Sequence, residues 1–137
     1  MNAVDTNIWI YSHDTRLPDK QLVAQQTIAR APPFALPWQV GCELVAASRK
    51  LEPFGFTPDQ AWSALTDMQA AAAVILLPDA SLWPEARDLQ QRHSLSFWDA
   101  LLIAACILGG VDTLYTENMA APRKIDGLTL VNPFLGP

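Results

Sequence analysis

Prolines cut this chain into short β-rich apolar runs that alternate with longer helical ones. That alternation is its strongest constraint on fold. Residues 2–4, 34–36, 74–77, 113–116 and 128–131 read as short strands. Between them the pattern predicts helices over 7–12, 19–31, 39–51, 58–72, 79–92 and 97–108. Thr57 precedes Pro58 as a cap precedes the first turn. Acids sit early in the 79–92 run, and Arg92-His93 sit late, as the helix dipole prefers. Gly109-Gly110 stops the last helix, and Gly136 belongs to a tail. Strands alternating with helices predict an α/β fold with a mostly parallel sheet.

The chain has 137 residues, half of them hydrophobic, which suits one domain spanning 1–137 with a real core. Its net charge of −5 argues against a nucleic-acid binder, although acids clustered at a metal site lower the charge by themselves. Cys42 and Cys106 lie in apolar or helical surroundings without Cys/His ligand spacing. They read as core thiols in a reducing compartment, and a structural zinc site is not expected. The run from Ala100 to Gly110 is too short to span a bilayer, and the N-terminus has no signal pattern. The expected location is the cytoplasm, with no membrane partner.

Strand exits carry the polar chemistry. Asp5-Thr6-Asn7 leaves the first strand, and Thr116-Glu117-Asn118 leaves a later one. Glu43 lies about one turn into the helix that follows the 34–36 strand, which directs it to the same sheet edge. Asp99 sits in the first turn of the helix that runs back antiparallel to the 113–116 strand. In parallel sheets this edge is where ligands bind.

Each residue also has an ordinary reading. Asp5 suits a helix cap. Glu43 suits a solvated helix face, although its neighbours Val40, Cys42, Leu44, Val45, Ala46 and Ala47 are small or apolar. Ser96 and Asp99 match the Ser-x-x-acid capping pattern. Asp99, however, opens the apolar run 100–106, which predicts a helix buried on every face. Asn118 suits a turn. The joint pattern outweighs the parts, because converging carboxylates repel unless a cation lies between them. Mg²⁺ or Mn²⁺, hard ions that take oxygen ligands, fit that need. Such an ion assists phosphodiester hydrolysis.

With these residues in view, the chain resembles a PIN-domain ribonuclease, and within that group a VapC-like toxin. The resemblance rests on Val4-Asp5-Thr6-Asn7-Ile8, Gln39-Val40-Gly41-Cys42-Glu43-Leu44, Ser96-Phe97-Trp98-Asp99-Ala100 and Leu114-Tyr115-Thr116-Glu117-Asn118-Met119, in that order. It implies a three-layer sandwich with helices on both sides of the sheet. It also implies an endoribonuclease dependent on Mg²⁺ or Mn²⁺, which hydrolyses RNA through a metal-activated water and leaves a 5′-phosphate and a 3′-hydroxyl. Asp5, Glu43 and Asp99 carry over as catalytic metal ligands, with Asn118 and Glu117 as further candidates. Thr6, Asn7 and Thr116 support them. The family often has Asp where Asn118 stands, so the number of bound metals is left open. The implied partners are RNA, a cognate antitoxin protein and a second copy of the chain.

Two other readings keep the fold and change the function: an inactive protein-binding module, motivated by Asn118, and a small-molecule metal phosphohydrolase. Trp9 and Trp98 fall in expected core helices, whereas Trp38, Trp62 and Trp83 are interface candidates. Ser12-His13-Asp14 are adjacent, which is not how a catalytic triad is built. Arg49-Lys50 and Arg123-Lys124 are the basic pairs available to RNA phosphates, although a charge pair more often marks a solvated face.

Overall fold

The computed structural model describes residues 1–135; Gly136, read above as part of a tail, lies outside the described residues. The chain forms β1 (Asn2–Val4), α1 (Thr6–Tyr11), α2 (Pro18–Arg30), β2 (Ala35–Pro37), α3 (Trp38–Leu51), α4 (Pro58–Ala71) and β3 (Val74–Leu76). It continues through α5 (Leu82–Arg92), α6 (Phe97–Leu108), β4 (Thr113–Tyr115), β5 (Arg123–Ile125) and β6 (Leu128–Val131). Strands run in the order β1-β4-β6-β5, and β2 pairs with β3 separately. A parallel bridge between Asn2 and Phe34 joins the two sheets. All pairings but β5–β6 are parallel. The result is the expected central, mostly parallel sheet with helices on both sides.

Apolar residues of β1, α1, α3, α6, β4 and β6 form the heart of the core. Val4, Ile8, Leu44, Leu102, Ile103, Leu114 and Leu130 are all essentially inaccessible to solvent. Burying one such side chain stabilises the fold by about 1.5–3 kcal/mol. Thr57 and Gln60 complete a reciprocal cap at the start of α4, as Thr57-Pro58 foretold. The connection from β1 heads toward β2 on one side, while β4 lies on its other side. This reversal makes a switch point at the carboxyl ends of β1 and β4, the usual ligand position in such sheets.

Several expectations needed correction. Strand β5 was not foreseen. Its signal is Asp126-Gly127, whose positive φ angles of 48° and 86° make the tight turn between Ile125 and Leu128. Helix α5 begins at Leu82 rather than Asp79, because Asp79 turns its carboxylate onto the Ser81 amide at 2.7 Å. Cys42 is exposed; only Cys106 is a core thiol. Helix α6 is not buried on every face, since Phe97, Trp98 and Leu108 are exposed. Trp98 therefore leaves the core and joins Trp38, Trp62 and Trp83 at the surface, while Trp9 stays buried. Among the described residues, no helix is long and apolar enough to cross a membrane.

Candidate active site

Asp5 stands at the switch point, where β1 and β4 end. It ends β1, caps α1, and is only 6% exposed. One carboxylate oxygen accepts from the Thr6 amide at 2.7 Å, and the other accepts from the Thr116 hydroxyl at 2.8 Å. The fully buried Thr116 oxygen in turn accepts from the Asn118 amide at 3.1 Å. Backbone bonds lace the same exits: the Asp5 amide donates to Tyr115 and the Thr116 amide to Val131, both at 2.9 Å. The cap and ligand readings of Asp5 are thus compatible. A carboxylate has about four acceptor positions, so two hydrogen bonds leave room for another partner.

The electrostatics of this edge are unfavourable in isolation. Burial raises the Asp5 pKa most; the Thr116 and Thr6 hydrogen bonds pull it back, and the charge of Asp99 raises it again. Glu43, on the exposed side of α3, shifts the same way: partial loss of water raises its pKa first, a nearby Gln39 lowers it, and Asp5 and Asp99 add repulsion. Asp5 therefore feels Asp99, and Glu43 feels both. Asp5 also reaches Cys106, whose thiol is pushed up to about 12 by burial and then by that charge. Among the described residues, none of the three acids forms an ion pair with a basic side chain.

Local structure sets each member. Ser96 caps α6 by accepting from the Asp99 amide at 3.1 Å. Asp99 does not complete a reciprocal cap as Gln60 does, so its carboxylate is not committed to the helix end. Gln39 on α3 donates to the Trp98 carbonyl at 3.0 Å, tying the Glu43 helix to the turn that presents Asp99. Thr6 Oγ1 and both amide atoms of Asn7 are buried without a hydrogen-bond partner. Orphaned polar atoms beside Asp5 indicate a further polar partner.

Other candidates are placed differently. Asn118 is exposed at the loop, where its amide anchors to Thr116. Glu117 turns to Lys20 and to the Tyr11 hydroxyl, the latter at 2.6 Å. Burial alone would raise its pKa, but Lys20 and Tyr11 together hold it below the ordinary value. In the conformation shown, no three Asp, Glu, His or Cys side chains among the described residues close around one ion position. His13 stacks on Phe56 with ring centroids 4.8 Å apart, and Asp14 pairs with Arg16, so Ser12-His13-Asp14 makes no triad. The Lys20 and Tyr11 partners of Glu117 escaped the sequence reading. A Lys two residues past Pro18 carries no local sign of a partner so far along the chain.

Fold and strand exits together define an α/β protein with an acidic edge at its switch point. The PIN domain family model matches residues 3–126, and the chain belongs to that family. Among solved structures, a toxin–antitoxin complex from Klebsiella pneumoniae superposes with a TM-score of 0.67 at 22% identity, covering 98% of both chains. The Mycobacterium tuberculosis VapC20 toxin, described as cleaving the Sarcin-Ricin loop, gives 0.64 at 22% identity over 88% of this chain and 92% of that one. A VapBC2 complex from Rickettsia felis, bound to a promoter DNA fragment, gives 0.63 at 18% identity over 94% and 96%. At these identities the likeness is one of fold. No curated protein matches the chain by sequence.

Proposed function

We propose that this protein is a metal-dependent endoribonuclease, the toxin half of a toxin–antitoxin pair. One observation carries the reading: a buried carboxylate, Asp5, at the switch point, its pKa raised by burial and by the charge of Asp99, with Glu43 feeling both acids, and no basic side chain paired with them among the described residues. Asp5, Glu43 and Asp99 would hold Mg²⁺ or Mn²⁺, with Asn118 binding directly or through water. Glu43 and Asp99 extend toward this edge from turns of α3 and α6. The oxygen-only donor set suits these hard ions, and Thr6 and Asn7 offer unpaired polar atoms beside it. When bound, such an ion lowers the pKa of a water and stabilises charge on a phosphoryl oxygen.

The chain's own residues then do three things. Asp5 fixes the centre of the site through its Thr6 and Thr116 bonds. Asp99 and Glu43 supply charge from opposite helices. Thr116 keeps Asp5 oriented and holds the Asn118 backbone. The RNA reading is supported by the family and by the description of the Mycobacterium tuberculosis neighbour.

An antitoxin partner is supported by the complexes among the neighbours, and a second copy belongs to the same reading. A protein partner is also supported by an open groove of about 540 Å³ between α3 and α6, lined by Trp38, Cys42, Glu43, Ala46, Trp98 and Leu101. The reading places the protein in the cytoplasm, as one PIN-like unit over 1–137. A second reading, an inactive protein-binding module, draws on Asn118 and on the open spacing of the acids.

The test uses purified, partner-free protein and a mixed RNA pool, with Mg²⁺, with Mn²⁺ and with chelator. Metal-dependent cleavage should fall at least about a hundredfold in Asp5→Ala and Asp99→Ala. Equal cleavage by wild type and both variants would sink the metal site. Silence of the wild type in every metal would favour the binding module.

A further inference from the structure

Glu117 lies between Thr116, whose hydroxyl holds Asp5, and Asn118. Its carboxylate points to a second cluster. Tyr11, the last residue of α1, donates its hydroxyl to Oε1 at 2.6 Å, and Lys20, in the first turn of α2, pairs with Oε2. The Lys20 ammonium lies 4.5 Å from the centroid of the Tyr11 ring and 5.0 Å from that of Phe134. Those two rings meet edge-on at 5.2 Å, which walls the pair on one side.

The loop that follows is one that needs holding. Met119 and Ala120 have φ of 61° and 56°, a region that side chains with a Cβ rarely adopt. On its far side the Met119 carbonyl accepts only a long bond from Arg123, at 3.4 Å. Glu117 thus anchors, through Tyr11 and Lys20, the same segment that the Thr116 hydroxyl ties to Asp5.

We propose that Tyr11, Lys20 and Glu117 form a clasp that fixes the β4 exit, so that Thr116 and Asn118 are held toward Asp5. Glu117 is then a positioning residue and not an additional metal ligand. The effect on turnover rests on the nuclease reading above; the clasp itself does not. Lys20 and Glu117 are 38% and 26% exposed, so the pair adds little to global stability and acts on the loop.

The test compares Glu117→Gln, Lys20→Met and Lys20→Arg in the full chain. Amide exchange at Asn118, read by NMR, should speed about tenfold in the first two variants and return toward wild type in Lys20→Arg, with melting temperatures nearly unchanged. Mn²⁺ affinity by calorimetry should weaken about tenfold in Glu117→Gln and Lys20→Met. Under the same reading kcat falls while KM for RNA holds. Unchanged Asn118 exchange in both Glu117→Gln and Lys20→Met overturns the clasp. So does loss of Mn²⁺ binding in Glu117→Gln with full or tighter binding in Lys20→Met, which would make Glu117 a ligand. Faster exchange in a protein whose wild type cleaves no RNA supports the clasp and refutes the nuclease.

Discussion

Carboxylates at two corners of this molecule are treated in opposite ways. Where α5 meets the β5–β6 hairpin, Arg92 lies between Asp88 and Asp126, donating to Asp88 at 2.7 and 2.9 Å and to Asp126 at 2.9 Å. The Arg92 hydrogen bond, more than anything else, holds the Asp126 carboxyl below its usual range. Where β1 and β4 end, Asp5 is buried and feels the charge of Asp99, Glu43 feels both, and among the described residues no basic side chain pairs with them. The first corner helps hold the hairpin to the helix. At the second, burial and like charge raise the Asp5 and Glu43 pKa values, the electrostatic pattern found at functional sites.

The sharpest way to break this contrast is at Thr116. Thr116→Val removes the donor to Asp5 and the acceptor for the Asn118 amide. Cleavage of RNA should fall about 10–100-fold, the usual effect of losing a partner that orients a ligand. Stability should fall by about 1–3 kcal/mol for the buried groups left unpaired. Cleavage within a factor of two of wild type would show that Thr116 does not orient Asp5.

A smaller effect concerns pH and carries opposite signs at the two corners. The Asp5 and Glu43 pKa values are raised on folding. Their contribution is therefore present at acid pH, below the unfolded values, and lost as pH rises through the folded ones. The Asp126 contribution runs the other way, present at neutral pH and lost as pH falls through its depressed value. In chelator, Asp5→Asn should melt above wild type at neutral pH, and the two curves should converge in acid. Adding Mn²⁺ should raise the wild type and leave Asp5→Asn unmoved, because only a site that binds the ion gains from it. Parallel melting curves across pH would show that Asp5 carries no such strain.

The smallest effect belongs to the paired corner. Arg92→Ala removes exposed ion pairs and should lower the melting temperature by no more than about 4 °C. RNA cleavage should match wild type, since Arg92 touches none of the residues at the strand exits. A large loss of cleavage would mean that the hairpin reaches the strand exits.

How much of this was legible depends on the range over which each signal acts. The strands, the cap at Thr57 and the stop at Gly109 are local patterns, and the sequence displays them. Asp5 and Asp99 could be placed because helix direction follows from alternation. Strand β5 was missed although Asp126-Gly127 marks its turn, since Arg123-Lys124-Ile125 has too few apolar residues to read as a strand. Cys42 and Trp98 were read as buried because their helices are apolar; which face meets the sheet depends on the rotation of α3 and α6, and that is settled by packing.

The sequence by itself determined the layers, the strand exits that carry Asp5 and Thr116, and the helix turns that carry Glu43 and Asp99. These follow from periodicity and caps, which act within a few residues. Only the tertiary structure decided that Thr116 would reach Asp5 across 111 positions and that Lys20 would draw Glu117 aside across 97. Those pairings depend on strand order and helix placement. Both are set by burial of the whole core, and no local stretch of sequence contains them.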